Sequence, residues 1–499
     1  MKKPVIFLSG MSLLALLLRL FHLDFQSFWH DEILSVMLAE GTWKEIYKNS
    51  YIMTNVPPFY YYVISPFTKS SASEFFLRLP SVLFAVFSVV LFYDILKKLT
   101  DDRSAKIGVL ILSVSAFHIW YSQEARPYSM LIFIALLSLW LLLKVLVDNK
   151  GFVWLIGFVL STAALFYCHT LGIAFIGFLF TAAILYSPRK EWLKWVGIFT
   201  LIGVLVSPAL WELYVLPKLR SADSFREFDV LAIPYTFWVF ISGYTLGPSV
   251  PELHSANHIK YIKEALIYIV PIGLFFSALF GYGLWVMKKK NRPSFWLVLA
   301  WIFIPGFFAI LGSLFSNQPF NARYVLLVFP AILVVLSAAM TELPGVQWRR
   351  IAVSIFLLVN IISLANNYFN SRYFREDNRS ASHYFSENAD KNDLAICSAF
   401  YAKKGLLYYT RYPEEKVIGY RPSKFETRPE IIVNDLQEII GERDRFWFYL
   451  SRNYNKRQVA VIRQFFDKSF NRVIDKKFVG VELTYYKRKA NDDTNNAIQ

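Results

Sequence analysis

Apolar runs of about sixteen to twenty-two residues recur through the first three quarters of this chain, each near the length of a helix that crosses a hydrocarbon core. They lie at about 5–21, 79–96, 107–121, 128–147, 152–168, 171–186, 192–211, 266–287, 295–315, 324–340 and 351–366. In lipid every backbone N–H and C=O needs a partner within the protein, and a helix supplies it inside one segment. The pattern predicts a mainly α, polytopic membrane bundle of about eleven transmembrane helices. Composition agrees: 55% hydrophobic against 18% charged residues is too apolar for 499 residues folded in water. The first run follows Lys2 and Lys3 as a signal peptide would, but no small-residue cleavage site precedes Phe28-Trp29-His30-Asp31, so it is expected to remain as a span.

A net charge of +16 raises the question of nucleic acid. The basic residues instead sit in short alternate loops: Lys2-Lys3, Lys97-Lys98 with Arg103 and Lys106, Lys144 with Lys150, Arg189-Lys190 with Lys194, Lys288 to Lys290 with Arg292, and Arg349-Arg350. With eleven spans these all fall on one side, which the positive-inside bias makes cytoplasmic. No groove-binding basic module is visible, so no nucleic-acid partner is expected. The outer face of the cytoplasmic membrane then receives a first loop at 22–79, a long loop at 212–265 and the tail.

The segment 233–247 is apolar but short and interrupted by Pro234, Gly243 and Gly247, which suits a re-entrant or interfacial helix. From residue 367 the chain turns to mixed charge, with β-leaning runs at 394–399, 445–450 and 478–487 between amphipathic stretches. The expected organisation is a transmembrane domain at 1–366 and a small α/β soluble domain at 367–499, which modulates the enzyme or contacts the acceptor, with a disordered polar end at 491–499. The two cysteines, Cys168 and Cys397, give neither a disulfide framework nor a metal-ligand spacing.

Chemistry concentrates in the outer loops. Trp29-His30-Asp31-Glu32 places two carboxylates just beyond the first span, where ionised groups are costly unless they are used, so Asp31 is the first candidate catalytic residue. Consecutive residues on a helix diverge by about 100°, so Glu32 is not expected to meet the same proton and can hold His30 instead. The alternative for the pair is a charge cluster at the N-terminus of a helix over 33–38. Amphipathic stretches at 33–38 and 43–47 suit interfacial helices, and Trp29, Trp43, Tyr47 and Tyr60 to Tyr62 suit an aromatic belt. Arg126 and Arg323 run against the charge bias of the outer side; each can clamp a lipid phosphate or cap a helix end by snorkelling. Tyr128 and Tyr324 offer hydroxyl donors beside them, and Glu124 can orient Arg126. His169 can donate to phosphate or acceptor, or serve as a structural residue at headgroup level. Carboxylate oxygens at Asp31 and Glu32 suit a divalent cation, although nothing in the sequence demands one.

Several pieces, in order and on one membrane face, resemble polytopic glycosyltransferases of the C-type fold, the protein O-mannosyltransferase and aminoarabinose transferase-like family. They are Asp31-Glu32, Asn55-Val56-Pro57-Pro58-Phe59-Tyr60-Tyr61, Phe76-Leu77-Arg78-Leu79-Pro80-Ser81, Gln123-Glu124-Ala125-Arg126-Pro127-Tyr128, Tyr167-Cys168-His169 and Ala322-Arg323-Tyr324. The resemblance covers roughly 1–345. It implies a catalytic outer-loop carboxylate and a sugar donor carried on polyprenyl phosphate. It also implies substrate-binding roles among His30, Asn55, Pro58, Tyr60, Arg78, Glu124, Arg126, Tyr128, His169, Arg323 and Tyr324. Members often carry His or Lys directly before the Pro-Pro pair; this chain has Val56, and no donor contact is assigned there.

The expected function is an inverting transfer of a sugar from polyprenyl phosphate to a lipid, glycan or protein acceptor, with Asp31 as base. A polymerase or ligase using a diphosphate-linked donor is the nearest rival. A transporter would place ionisable residues near mid-span, where they are scarce here.

Overall fold

The computed structural model describes residues 2–70, 73–216, 229–253, 258–315, 320–398, 400–420, 428–451 and 456–489. The tail at 491–499, Ala399, and 217–228 and 254–257 of the long loop lie outside the described residues. The chain forms two units, one of Met1–Leu23, Ser35–Leu253 and Asn257–Asn370, the other built on Asp24–Leu34 and Ser371–Gln499.

The larger unit is helical. It runs α1 (Lys2–Leu20), α2 (His30–Glu40, shared with the other unit), α3 (Trp43–Asn49), α4 (Phe59–Ser70), α5 (Glu74–Leu99), α6 (Asp102–Val114), α7 (Ala116–Ser122), α8 (Tyr128–Leu146), α9 (Phe152–Cys168), α10 (Gly172–Tyr186) and α11 (Trp192–Val215). It continues through α12 (Ala232–Ser242), α13 (Val250–Leu253), α14 (His258–Lys290), α15 (Arg292–Phe315), α16 (Phe329–Glu342) and α17 (Val346–Phe369). Among the described residues seven helices are long and apolar enough to cross a membrane alone, and the pair α6 and α7, bent by 53°, passes the same test when taken together, as a broken span or a re-entrant loop. Each of the eleven apolar runs is helical, the remaining three as the shorter α1, α9 and α10. The chain is a multi-pass membrane protein.

Short helices fill the first loop as the amphipathic pattern predicts. Thr42 and Glu45 form a reciprocal capping box that starts α3. The chain then widens into a π-helical turn at Ser50–Thr54, closed by Asn55 in the left-handed conformation at φ 54°.

The bend between α6 and α7 frees backbone groups inside an apolar bundle, and polar side chains meet them. Arg19, fully buried, donates to the carbonyls of Ser113 at 2.9 Å and Leu112 at 3.4 Å, while Asn360 Oδ1 accepts from the N–H of Ala116 at 2.8 Å. The Asn360 amide also donates to the Ile241 carbonyl at the end of α12, at 3.0 Å. One asparagine thus closes two helix breaks, which removes the cost of leaving such groups unpaired in lipid. Eleven residues are too few for α12 to span, and it stops at Gly243 (φ 74°), where a Cβ would approach Ala116 Cβ to 2.8 Å.

The second unit holds α18 (Asn378–Asn388), β1 (Leu394–Cys397), α19 (Phe400–Thr410), β2 (Val417–Gly419), α20 (Pro429–Ile440), β3 (Arg445–Ser451), α21 (Lys456–Ser469), β4 (Phe470–Phe478) and β5 (Val481–Arg488). Its sheet has the order β2-β1-β3-β5-β4, parallel on the first three strands and antiparallel on the last two pairings. Central β3 is buried on both faces: Phe446 and Phe448 face Phe466 and Tyr486, while Trp447 and Tyr449 lie with Phe385 and Leu406. Each such aromatic contributes about 1.5–3 kcal/mol through its buried area. The sequence reads one strand over 478–487, but the chain turns at Gly480 (φ 68°) and makes a hairpin instead. Its first arm, β4, is a largely exposed edge carrying Lys476 and Lys477, so the alternation that marks a half-buried strand is weak there.

Candidate active site

The carboxylate pair opens α2. Glu32 is fully buried, and its Oε2 accepts from Arg375 Nη1 at 3.1 Å and from the Trp29 N–H at 3.4 Å. The Arg375 guanidinium lies 5.8 Å from the Trp29 ring centroid. Asp31 and His30 are half-buried. The adjacent carboxylates therefore have different environments, one turned onto a cation inside the protein and the other partly open to solvent. Among the described residues no group of three or more His, Cys, Asp or Glu is placed to hold a metal.

In the larger unit a second group forms from helix ends. Arg126, in the link between α7 and α8, donates from Nη1 to Ser35 Oγ at 3.1 Å and from Nη2 to Tyr128 Oη at 3.5 Å, with its guanidinium 5.5 Å from the Tyr128 ring. The Tyr128 ring lies 5.9 Å from His169, which follows the last residue of α9. Tyr121 packs edge-on against Tyr128 at 5.0 Å, and its hydroxyl is 2.7 Å from that of Tyr244. Arg323 begins a short 3-10 turn, with its own N–H held by Asn321 Oδ1 at 3.1 Å, and lies over Tyr324 at 5.8 Å.

His169 reports the electrostatics of this group. Burial first, and then the charges of Arg126 and Arg323, push its pKa from 6.5 down to about 3. Its Nδ1 accepts from the Leu171 N–H at 3.1 Å, which fixes the proton on Nε2 as a donor. The folded imidazole refuses a proton that the unfolded chain accepts below about pH 6.5, so thermal stability in detergent is expected to fall as pH drops from there towards 3. His169→Gln should make that fall shallower, and an unchanged slope would count against this reading.

The other sequence candidates have structural surroundings. Asn55 closes the π-helical turn, and Pro58 lies just ahead of α4, its carbonyl accepting from the Tyr62 N–H at 3.1 Å. Tyr60 is fully buried beside Tyr61. Arg78, also buried, donates to the Leu23 carbonyl at 2.7 Å and so anchors the end of the first span. Glu124 is buried. Sequence reasoning missed Arg375, Ser35, Tyr121 and Tyr244. Only Ser35 carried a signal, standing one helical turn after Asp31.

Residues 55–211 match the family model described as dolichyl-phosphate-mannose-protein mannosyltransferase. An uncharacterized protein of Aquifex aeolicus (strain VF5) is 27% identical over 319 residues, 62% of this chain and 58% of that protein, so the match spans less than two thirds of its length. Among solved structures, ArnT from Cupriavidus metallidurans in the apo state superposes with a TM-score of 0.61 at 11% identity, covering 96% of this chain and 97% of that one. This chain has the C-type fold of polytopic membrane glycosyltransferases. The structure of ArnT from Cupriavidus metallidurans bound to undecaprenyl phosphate is also similar to this chain, with a TM-score of 0.58 at 12% identity over 96% and 97% of the two chains.

Proposed function

We propose that this protein is a glycosyltransferase that moves a sugar from a polyprenyl-phosphate donor to an acceptor hydroxyl or phosphate of a lipid, glycan or protein, with inversion at the anomeric carbon. The reaction takes place at the outer face of the cytoplasmic membrane, where the C-terminal domain is also placed by the charge bias of the loops. The observation that carries the proposal is the group of Arg126, Tyr128, His169 and Arg323. Burial is the larger cause of the neutral His169, but the charges of Arg126 and Arg323 add to it, and those charges favour an anionic phosphate. Arg126 and Arg323 supply the charge, and Tyr128 and His169 Nε2 supply neutral donors. The ArnT structure holding undecaprenyl phosphate supports a lipid of this class.

Sugar attached through phosphate has a stable anion as its leaving group, so a protonating acid is not required there. Asp31 takes the proton of the acceptor hydroxyl, the freed oxygen forms its bond to the anomeric carbon, and the bond from that carbon to the phosphate oxygen breaks. The polyprenyl phosphate departs with the bonding electron pair, where the two guanidiniums meet its added charge.

A panel of radiolabelled lipid donors tests the proposal on the purified protein in bilayers. Transfer is expected from a polyprenyl-phosphate monosaccharide. Transfer solely from diphosphate-linked oligosaccharides would replace this reading with that of a polymerase or ligase.

A further inference from the structure

The segment that carries the carboxylates, Asp24–Leu34, is structurally part of the C-terminal unit, although about 340 residues of chain separate the two in sequence. Its attachment is made by residues 375–379, just before and within the first turn of α18, and by Tyr409 of α19. The N–H of Asn378 donates to Ser27 Oγ at 3.1 Å, its side-chain amide donates to the Phe28 carbonyl at 3.2 Å, and its Oδ1 accepts from Tyr449 Oη on β3 at 3.0 Å. Ser27 Oγ donates in turn to the Glu376 carbonyl at 2.8 Å. The Phe28 N–H reaches Tyr409 Oη on α19 at 2.8 Å, and the Arg375 N–H reaches Gln26 Oε1 at 2.9 Å. At the far end of the segment, Arg375 closes on the buried Glu32.

We infer that the C-terminal unit is the positioning element of the carboxylate segment, and that Arg375 is a positioning residue acting on Asp31 through Glu32. The inference rests on the reading of Asp31 as the base. Glu32 and Asp31 are neighbours in the first turn of α2, so fixing the rotation of one fixes the direction in which the other projects. Asn378, backed by Tyr449 on the central strand, sets where that turn begins. Holding a reacting group in one orientation accelerates a step without touching the substrate. Arg375 also removes the need for Glu32 to compete for charge next to Asp31, because a buried carboxylate that has lost its partner must find a proton or move.

The test uses the full-length protein in bilayers, with the donor found by the lipid panel, and compares Asp31→Asn, Arg375→Met, Arg375→Lys and Glu32→Gln with Arg375→Met. Arg375→Met is expected to lower kcat about 10- to 100-fold with the donor KM within twofold, and Arg375→Lys to restore part of it. The double variant should be no slower than Arg375→Met alone, because the two groups act as one unit. Hydrogen exchange, which needs no donor, should rise at least about tenfold over 24–34 in Asn378→Ala and Arg375→Met, while α5 and α8 stay protected. Wild-type kcat and unchanged exchange in Arg375→Met, beside an inactive Asp31→Asn, would overturn the positioning role and leave the base in place. An active Asp31→Asn would overturn the base itself.

Discussion

Asp31→Asn is expected to lower kcat by about 10²–10⁴-fold, the range that a positioned general base contributes, while leaving the KM for the lipid donor close to wild type. The substitution keeps the size of the side chain and removes its capacity to take a proton. Asp31 is half-buried at the start of α2, where an amide of the same size can be housed, so the folded yield should stay close to wild type. Single-turnover transfer of a radiolabelled sugar measures the effect directly, because product release does not enter. Glu32 provides the internal contrast. It is fully buried against Arg375, so its loss acts through the fold of the segment and should show in hydrogen exchange as well as in rate. A folded Asp31→Asn protein that transfers sugar at the wild-type rate would remove the proposed base.

The bundle was readable because lipid imposes one rule on every segment: about twenty apolar residues, hydrogen-bonded within themselves. That rule does not depend on partners far away in sequence, so each apolar run corresponds to a helix. Where the fold departs from it, the reason is a long-range partner. Arg19 would be an awkward charge at the end of α1 if the carbonyls of Leu112 and Ser113 were not waiting for it, and Asn360 has meaning only against the breaks at Ala116 and Ile241. In the small sheet, β3 announces itself by its aromatic run, whereas β2 is three residues long and β4 is an exposed, charged edge.

The same division runs through the candidate site. Arg126, Tyr128, His169 and Arg323 stand at helix ends, where charge or polarity interrupts an apolar pattern, and that contrast is visible in one dimension. Arg375 is one of many basic residues in a polar tail, and its significance comes from a partner 343 positions earlier. Arg78 and Asn55 stand in motifs that resemble the family's, yet here their surroundings explain them by backbone support. Motif membership alone does not separate a residue that holds a substrate from one that holds the chain.

Alanine at Arg126 or Arg323 is expected to weaken binding of polyprenyl phosphate about 10- to 100-fold, and the double substitution to weaken it further. Hydrogen bonds to a charged group contribute about 1.5–3 kcal/mol each, which sets the scale of the single effects. Arg126→Lys should fall between wild type and Arg126→Ala, since an ammonium keeps the charge but loses the planar fork that meets two phosphate oxygens. The two arginines act on the same histidine, so their fields overlap, and a double-mutant cycle should show coupling between them. Arg78→Ala unties the Leu23 carbonyl and is expected to reduce the folded yield, which separates it from the two clamp variants. Equilibrium binding of undecaprenyl phosphate to the protein in bilayers measures all five variants on one scale. Affinity unchanged in both single variants and in the double would show that the phosphate is held elsewhere, and the positive group at Arg126 and Arg323 would then be a feature of the helix ends alone.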